Sequence, residues 1–519
     1  MRYLFIVFTS ICCLYGCRTA NKEQISSAKK PNVLFIAVDD MNDWVGFLNG
    51  HPNVKTPNLD RLSARGVTFA NAHCAAPLCN PSRAAVLTGL RPSTTGVYYN
   101  NQVVQAVVPN VVTIPGHFKN NGYKTYGGGK IYHHTPGFNI PGDWDYFYLW
   151  HEKARERGWT GWYQQKPDPE PTPRPFSPIT KHTKRNFDAA SLDIDEALMP
   201  DYKVASWAVD FLEKEQTDPF FLAVGMFRPH IPWFNPKKYF DMYSDVDIKV
   251  PGIAPDDLDD LSEIARKWAV DKGSRHDLVK ELGIWEDLVQ AYLASITFAD
   301  AQVGRVLDAL ENSNYSDNTI IVLWSDHGYH LGEKDHWHKF TLWERSTRVP
   351  LIIANPSTIP PGLVAEQPVS LMDLFPTLIE LCGLPKLPQI EGHGKSIVPI
   401  LQQPDIDWPY AAVTTHQQNN HSVRSRHYRY IRYNDGSEEL YDHRSDPNEW
   451  NNIAKDTIYS EIISEHKKWL PKVNAAPAFN KTKFSLNPKT NDWKWAENVK
   501  GDSNYIKQSD IGRLPPGQY

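Results

Sequence analysis

The run Asn32-Val33-Leu34-Phe35-Ile36-Ala37-Val38, closed abruptly by Asp39-Asp40, constrains the fold of this chain more than any other stretch. An unbroken apolar run of this length is a strand buried on both faces. Two adjacent carboxylates at its end repel one another, so they lie either in a solvated turn or around a cation. The same grammar recurs. Thr319–Trp324 runs into Ser325-Asp326-His327-Gly328, and Phe220–Val224 runs through Gly225 to Arg228-Pro229-His230. Tyr123–Tyr126 runs through Gly127-Gly128-Gly129 to Lys130 and His133. A fifth run, Val349–Ala354, ends without an ionisable group. Helical patterns separate these strands, over Asn58–Arg65, Tyr202–Lys214, Trp285–Glu311 and Ser370–Cys382. Strands alternating with helices predict an α/β sheet covered by helices on both faces. Ligands of such sheets gather beyond the carboxyl ends of the strands, where four of these runs deliver acid, amine or imidazole groups.

At 519 residues the chain exceeds a single core. Met1-Arg2, the apolar Tyr3–Tyr15 and Leu14-Tyr15-Gly16-Cys17 read as a signal peptide over residues 1–17. Its end resembles a bacterial lipoprotein signal with Cys17 as the lipid-bearing residue, although Tyr15 leaves ordinary cleavage and free secretion open. The expected location is therefore the periplasm or cell surface, with secretion as the alternative. Residues 18–30 form a polar tether, 31–405 the main α/β domain and 406–519 a smaller C-terminal α+β subdomain. In that subdomain Ser422–Tyr433 reads as one half-buried strand, Asp435-Gly436 as a turn and Glu439–Asp442 as the return strand. A helix is expected over Ser460–Leu470 and irregular chain from Asn474. The proline-rich Lys166–Pro178 and the charged Asp256–Lys280 read as surface excursions. A net charge of −5 argues against a nucleic-acid-binding face.

Of six cysteines, Cys12, Cys13 and Cys17 lie in the leader. Cys74, Cys79 and Cys382 are too few for a disulfide framework, and a Cys74–Cys382 bridge stands open beside two buried thiols. Cys79 opens Cys79-Asn80-Pro81-Ser82-Arg83, with Gly89 ending the helix. Pro81 suits the first helical position, which puts Cys79 just ahead of the helix N-terminus, where unpaired N–H groups favour a reactive polar group. Read alone, Cys79 is equally a structural cysteine beside a structural arginine.

Cys79-x-Pro81-Ser82-Arg83 followed by Leu87-Thr88-Gly89 is similar to the signature of type I sulfatases. Thr56 through Leu62, Glu439–Asp442 and Asp446-Pro447 also look like that family's. Lys130-Ile131-Tyr132-His133, Arg228-Pro229-His230-Ile231-Pro232 and Ser325-Asp326-His327-Gly328 with Lys339 resemble the iduronate-2-sulfatase branch. The resemblance implies an alkaline-phosphatase-like sulfatase fold, a large mixed, mostly parallel sheet flanked by helices with a smaller C-terminal antiparallel sheet. It implies oxidation of Cys79 to Cα-formylglycine by a separate formylglycine-generating enzyme, the aldehyde hydrate being the nucleophile. One Ca2+ per chain is expected on Asp39, Asp40, Cys79, Asp326 and His327, although a histidine is second-best for that ion. Arg83 is expected to hold the hydrate, and Lys130, Lys339 and His230 the sulfate. His230 is expected to protonate the leaving alcohol and His133 to take a proton as sulfate is expelled; these two roles could be exchanged.

The implied activity is hydrolysis of sulfate monoesters on a sulfated oligosaccharide or polysaccharide, with 2-O-sulfated uronic acid at an oligosaccharide end as the branch's substrate class. Two other readings stay open. One is a phosphate or phosphonate ester hydrolase of the same superfamily; the other is a catalytically dead, glycan-binding surface lipoprotein. His134, His330, His336 and His338 have no assigned role; they line the substrate pocket or occupy the surface, with the surface favoured slightly for each. Tyr329, Trp159 and Trp162 are candidate sugar platforms.

Overall fold

Alternate residues of the first strand enter two different cores. Leu34, Ile36 and Val38 pack in one cluster with Leu59, Val204, Ala208 and Leu293, whereas Val33, Phe35 and Ala37 pack in another with Val86, Leu87, Phe375 and Leu378. The neighbouring strands divide the same way, Leu222 and Leu323 to the first core, Phe221 and Val322 to the second. A strand apolar on both faces must be covered on both faces, and the computed structural model shows this arrangement. It describes residues 30–108, 110–133, 138–151, 167, 187–270 and 276–479, with the backbone of Phe484–Leu486 and Trp493–Trp495. The expected signal peptide, nearly all of the tether, the proline-rich insertion except Pro167, and Trp159, Trp162 and His134 lie outside the described residues.

The central sheet comprises β1 Asn32–Asp39, β2 Val67–Phe69, β3 Lys124–Gly129, β4 Tyr146–Tyr148, β5 Phe220–Pro229, β6 Thr319–Ser325, β7 Leu351–Ala354 and β8 Leu363–Ala365. Its order is β8-β2-β7-β6-β1-β5-β3-β4. From β6 to β4 all neighbours are parallel, with Val33 of β1 paired to Phe221 on one side and Ile320 on the other. Only β7 runs against its neighbours, which makes the sheet mixed and mostly parallel, as expected. The carboxyl ends of β6, β1, β5 and β3 therefore lie side by side.

Helices α1 Pro57–Ser63, α2 Cys79–Thr88, α3 Pro200–Leu212, α4 Glu263–Ala269, α5 Trp285–Glu311, α6 Leu374–Leu381 and α7 Ser460–Lys467 follow the sequence patterns except α4. Helices α1, α3 and α5 cover one face; α2 and α6 cover the other. The described part of Asp256–Lys280 is more than the surface excursion its charges suggested: one side is exposed and the other packed. Leu261, Ala265 and Ala269 are buried with Leu342, Trp343, Ile431 and Tyr441, so α4 wedges between the main sheet's loops and the C-terminal sheet. Its Glu263, Arg266 and Lys267 masked a narrow apolar stripe.

The C-terminal sheet is an antiparallel meander of β9 Ala412–Thr415, β10 His421–Arg424, β11 Tyr428–Arg432 and β12 Glu438–Asp442. Ser422–Tyr433 is thus two strands, not one, because basic–apolar alternation continues through a hairpin that carries no Gly or Pro. Backbone pairing of Phe484–Leu486 with Trp493–Trp495 replaces irregular chain beyond Asn474. Cys74 and Cys382 are separate buried thiols.

Candidate active site

Each side chain singled out at the strand ends, from Asp39 to His327, is delivered by local structure that its own sequence explains. Asp39 ends β1, and Asp40 follows with φ 61°, a left-handed conformation that aspartate tolerates. Tyr292 of α5 donates its hydroxyl to the Asp40 carbonyl at 2.7 Å, and the Asp40 N–H donates to Asp326 Oδ1 at 3.1 Å. Asp326 and His327 follow β6. Lys130 follows β3, where its N–H donates to the Gly225 carbonyl at 3.0 Å. A Cβ on Gly225 would stand 2.4 Å from the Lys130 main-chain N and C, so this approach requires glycine. Asp201 of α3 accepts the N–H groups of Phe227 and Arg228, both at 2.8 Å, and so fixes the end of β5 just before His230. Helix α2 begins at Cys79 itself, two residues earlier than expected. Pro81 still lies in the first turn, where its missing N–H leaves no bond unmade. Gly89 ends the helix with φ 70°.

These elements converge on one buried cluster. Oxygens of Asp39 and Asp40, a His327 ring nitrogen and Cys79 Sγ all lie within 4.8 Å of one another. His327 Nε2 is 3.3 Å from Cys79 Sγ, 3.5 Å from Asp40 Oδ1 and 3.6 Å from Asp326 Oδ2. Asp326 stands beside the four rather than among them, since its Oδ2 accepts Arg83 Nε at 2.8 Å. Arg83 also reaches Asp39 Oδ1 at 3.3 Å, the Ile131 carbonyl at 3.1 Å and the Lys130 carbonyl. It thus braces the carboxylates and the Lys130 loop. Lys130 Nζ meets Asp39 Oδ2 and lies 3.7 Å from Cys79 Sγ, while Lys339 Nζ is bidentate on Asp40. His230 stands at the rim, its ring 12% exposed and Nε2 4.0 Å from Asp40 Oδ2. His133, by contrast, is buried beside Cys79.

Burial raises the Cys79 thiol, but Lys130, Lys339 and His327 outweigh it and hold the group well below the usual thiol range. Burial also opposes ionised Asp39, yet Lys130 above all keeps it low. Asp326 is pushed up to about 6 by burial despite Arg83. For His327 burial favours the neutral ring, but Asp326 and Cys79 carry it up to about 9. Burial pulls His133 down to about 4. Burial works against charge on Lys339, which Asp40 and Cys79 nonetheless hold above the ordinary lysine range.

Two hard carboxylates, an imidazole nitrogen and the side chain at position 79, gathered at this spacing and closed off from solvent, fit a divalent cation. A second group, Glu344, His443 and Glu449, does not make the same case. It is only half-buried at Glu344 and His443, and Arg424 and Arg429 pair with Glu344, and Arg429 with Glu449, in an ion-pair lock where the C-terminal sheet meets the main body.

Sequence reasoning missed Tyr292 and Asp201, and gave no role to Ser325, whose hydroxyl accepts the Met41 N–H at 3.1 Å. A hydroxyl on the apolar stripe of α5 and an acid in the first turn of α3 were the available signals. His330, His336 and His338, for which the surface was favoured over the substrate pocket, are buried, because the loop after β6 packs against α4 and Trp343. Tyr329 is not a sugar platform: it is fully buried against Trp233 and Tyr292.

Comparison with known proteins agrees with this geometry. Residues 31–384 match the family described as Sulfatase, and residues 332–476 match N-sulphoglucosamine sulphohydrolase, C-terminal. A sulfatase of Formosa agariphila is 40% identical over 489 residues, covering 89% of this chain and 91% of that one. Iduronate 2-sulfatase of Homo sapiens is 33% identical over 437 residues, covering 75% and 76% respectively. The solved phosphonate monoester hydrolase of Agrobacterium radiobacter superposes with a TM-score of 0.65 at 22% identity, over 88% of this chain and 98% of that one. At that identity the likeness is one of fold.

Proposed function

The chain belongs to the sulfatase family and is a sulfuric ester hydrolase, and from that premise we propose that its substrate is a sulfated carbohydrate, with a 2-O-sulfated uronic acid at an oligosaccharide end as the preferred class. The observation that carries the reading is the buried ammonium pair around Cys79: Lys130 Nζ lies 3.7 Å from its sulfur, and Lys339 Nζ stands 2.6 Å from Asp40, whose carboxylate shares the cluster with that sulfur. A sulfate monoester brings an anionic head with three peripheral oxygens, and such a pair, held by Asp39 and Asp40, suits it. The similarity to human iduronate 2-sulfatase supports the sugar class.

The family implies a formylglycine at position 79 and a metal. We propose calcium, held by Asp39, Asp40, His327 and the residue at position 79 with Asp326 alongside, because the carboxylates are hard donors. Once bound there, such an ion would supply Lewis acidity to a sulfate oxygen and to a hydroxyl at position 79. In this proposal the remaining work falls to the chain's own residues. Lys130 and Lys339, with His230, bind the sulfate oxygens. Arg83 keeps Asp39, Asp326 and the residue at position 79 in register. His230, at the open rim, gives its proton to the leaving sugar oxygen. His133, neutral and buried beside position 79, takes a proton from that residue as sulfate departs. The enclosed position of His133 and the rim position of His230 support this division of roles.

The test is turnover of an aryl sulfate against the matching aryl phosphate, then of defined sulfated oligosaccharides, with mass spectrometry of the peptide containing position 79. Preference for sulfate, removal of a terminal 2-O-sulfate and an oxidised Cys79 are expected, and Cys79→Ala should abolish turnover with the fold intact. Preference for phosphate would favour the esterase reading; activity with unmodified cysteine would overturn the nucleophile. A matured, folded protein inactive on every sulfate ester would favour the glycan-binding reading.

We also propose that the protein meets a formylglycine-generating enzyme before it is active. Residues 1–17 are proposed to direct export to the periplasm or cell surface, with Cys17 carrying a lipid or the cleaved chain secreted. A shift from the membrane to the soluble fraction in Cys17→Ser would identify the anchor; no shift would favour free secretion.

A further inference from the structure

We propose that His336 is a positioning residue for Lys339: its imidazole ties the main chain of that lysine to the end of α4 and so sets where the ammonium stands. The proposal rests on the reading of Lys339 as a sulfate ligand. His336 is buried, with Nδ1 2.9 Å from the carbonyl of Ala269, the last residue of α4, and Nε2 2.7 Å from the carbonyl of Lys339 itself. Both partners are acceptors, and the anchor on Lys339 is made by the ring with its hydrogen on Nε2. The other end of the same peptide is also held, since the Phe340 N–H donates to the Pro77 carbonyl at 3.3 Å, one residue from the Leu78 that caps α2. Lys339 is thus gripped at its main chain by α4 and the approach to Cys79, and at its ammonium by Asp40.

The grip matters because this loop runs against backbone preference. Lys334, Asp335, His338 and Phe340 have φ of 54°, 52°, 81° and 80°, a left-handed run that aspartate and histidine tolerate and that lysine and phenylalanine seldom adopt. A loop of this kind keeps its shape only where its surroundings over-determine it. Lys334 is fixed by Asp257 and the Glu449 carbonyl, Trp337 Nε1 donates to His276 Nδ1 at 2.9 Å, and His338 Nδ1 lies 2.8 Å from the Tyr329 hydroxyl. These contacts place the loop, and the His336 bridge places the residue within it that meets substrate.

The test compares His336→Gln with His336→Asn. Glutamine puts its amide where Nε2 stands and can still reach the Lys339 carbonyl; asparagine puts it where Nδ1 stands and reaches Ala269 instead. Each loses one buried contact, so a merely structural role would harm both alike. With a soluble sulfate ester, His336→Gln is expected to keep kcat/KM within about threefold, and His336→Asn to lose about tenfold or more, chiefly in KM. Hydrogen exchange of the amides from Trp337 to Thr341 is expected to speed up in His336→Asn and not in His336→Gln, a readout that needs no turnover. Equal loss in both variants, or equal exchange, would overturn the proposal. Wild-type protein inactive on sulfate esters but showing the exchange contrast would uphold the anchor and strike the sulfatase substrate reading instead.

Discussion

Lys339 Nζ stands 2.6 and 2.7 Å from the two carboxylate oxygens of Asp40, while its counterpart Lys130 closes on Asp39. The two acids that end β1 are therefore each answered by an amine from a different loop, and Arg83 links Asp39 to Asp326. Acids and cations balance in a space closed to water, so deleting one group strands its partner.

Lys339→Met is the direct test of that balance. Asp40 would remain buried without its cation, and the fold should lose about 3 kcal/mol, with activity falling by about two orders of magnitude. Added calcium should restore part of the stability, because a divalent ion on Asp39 and Asp40 supplies the missing charge, but not the activity. Urea unfolding with and without calcium, beside kcat/KM, checks both halves. Unchanged stability would mean that Asp40 does not depend on Lys339.

The balance was partly legible in the sequence. An apolar run ending in Asp39-Asp40 shows strand, burial and site together, because burying both faces removes the alternation that would otherwise obscure the strand's end. Asp326 and His327 were legible for the same reason, and Lys130 because three glycines lead a short strand into it. Tyr292, Asp201 and His336 were not. Their work is to hold a main-chain group of another element, and nothing in their local sequence records which carbonyl or N–H the tertiary fold will bring to them. The split of Ser422–Tyr433 into two strands was hidden differently, by a hairpin without Gly or Pro, turned by Ser425, whose hydroxyl accepts the Tyr428 N–H at 3.2 Å.

His133 should leave a signature in the pH dependence of stability. Burial lowers it from 6.5 to about 4, so the unfolded chain binds this proton below pH 6.5 while the folded protein does not until near pH 4. Its contribution therefore falls as pH drops from 6.5 towards 4. Relative to His133→Gln, the wild type should lose Tm progressively across that window and keep a constant offset above pH 7. Parallel Tm curves for the two proteins would show that the ring is not held neutral.

Arg429 is fully buried and pairs with both Glu344 and Glu449 where the C-terminal sheet meets the main body. Arg429→Leu should destabilise the protein by about 3 kcal/mol, because the buried Glu449 and the half-buried Glu344 lose a shared partner. Arg429→Lys should recover only part of this, since one ammonium cannot match a planar fork donating to two acids. Chemical denaturation of the three proteins decides it; equal stability of the leucine variant and the wild type would show that Arg424 alone neutralises the cluster.

Gly225 is the position where a single methyl group should separate fold from catalysis. Its Cβ would stand 2.4 Å from the Lys130 main-chain N and C and 2.5 Å from its carbonyl oxygen, too close for a side chain to yield. Gly225→Ala must push the β3 end away from β5 and carry the Lys130 ammonium off Asp39 and position 79. Activity should fall by about 100-fold, the cost of displacing a substrate-binding group by about an ångström. Gly142, where an added methyl group would meet nothing within 4 Å and φ is not left-handed, provides the control, and Gly142→Ala should leave kcat/KM and Tm unchanged. Full activity in a soluble Gly225→Ala protein would show that the close approach of β3 and β5 does not set the position of Lys130.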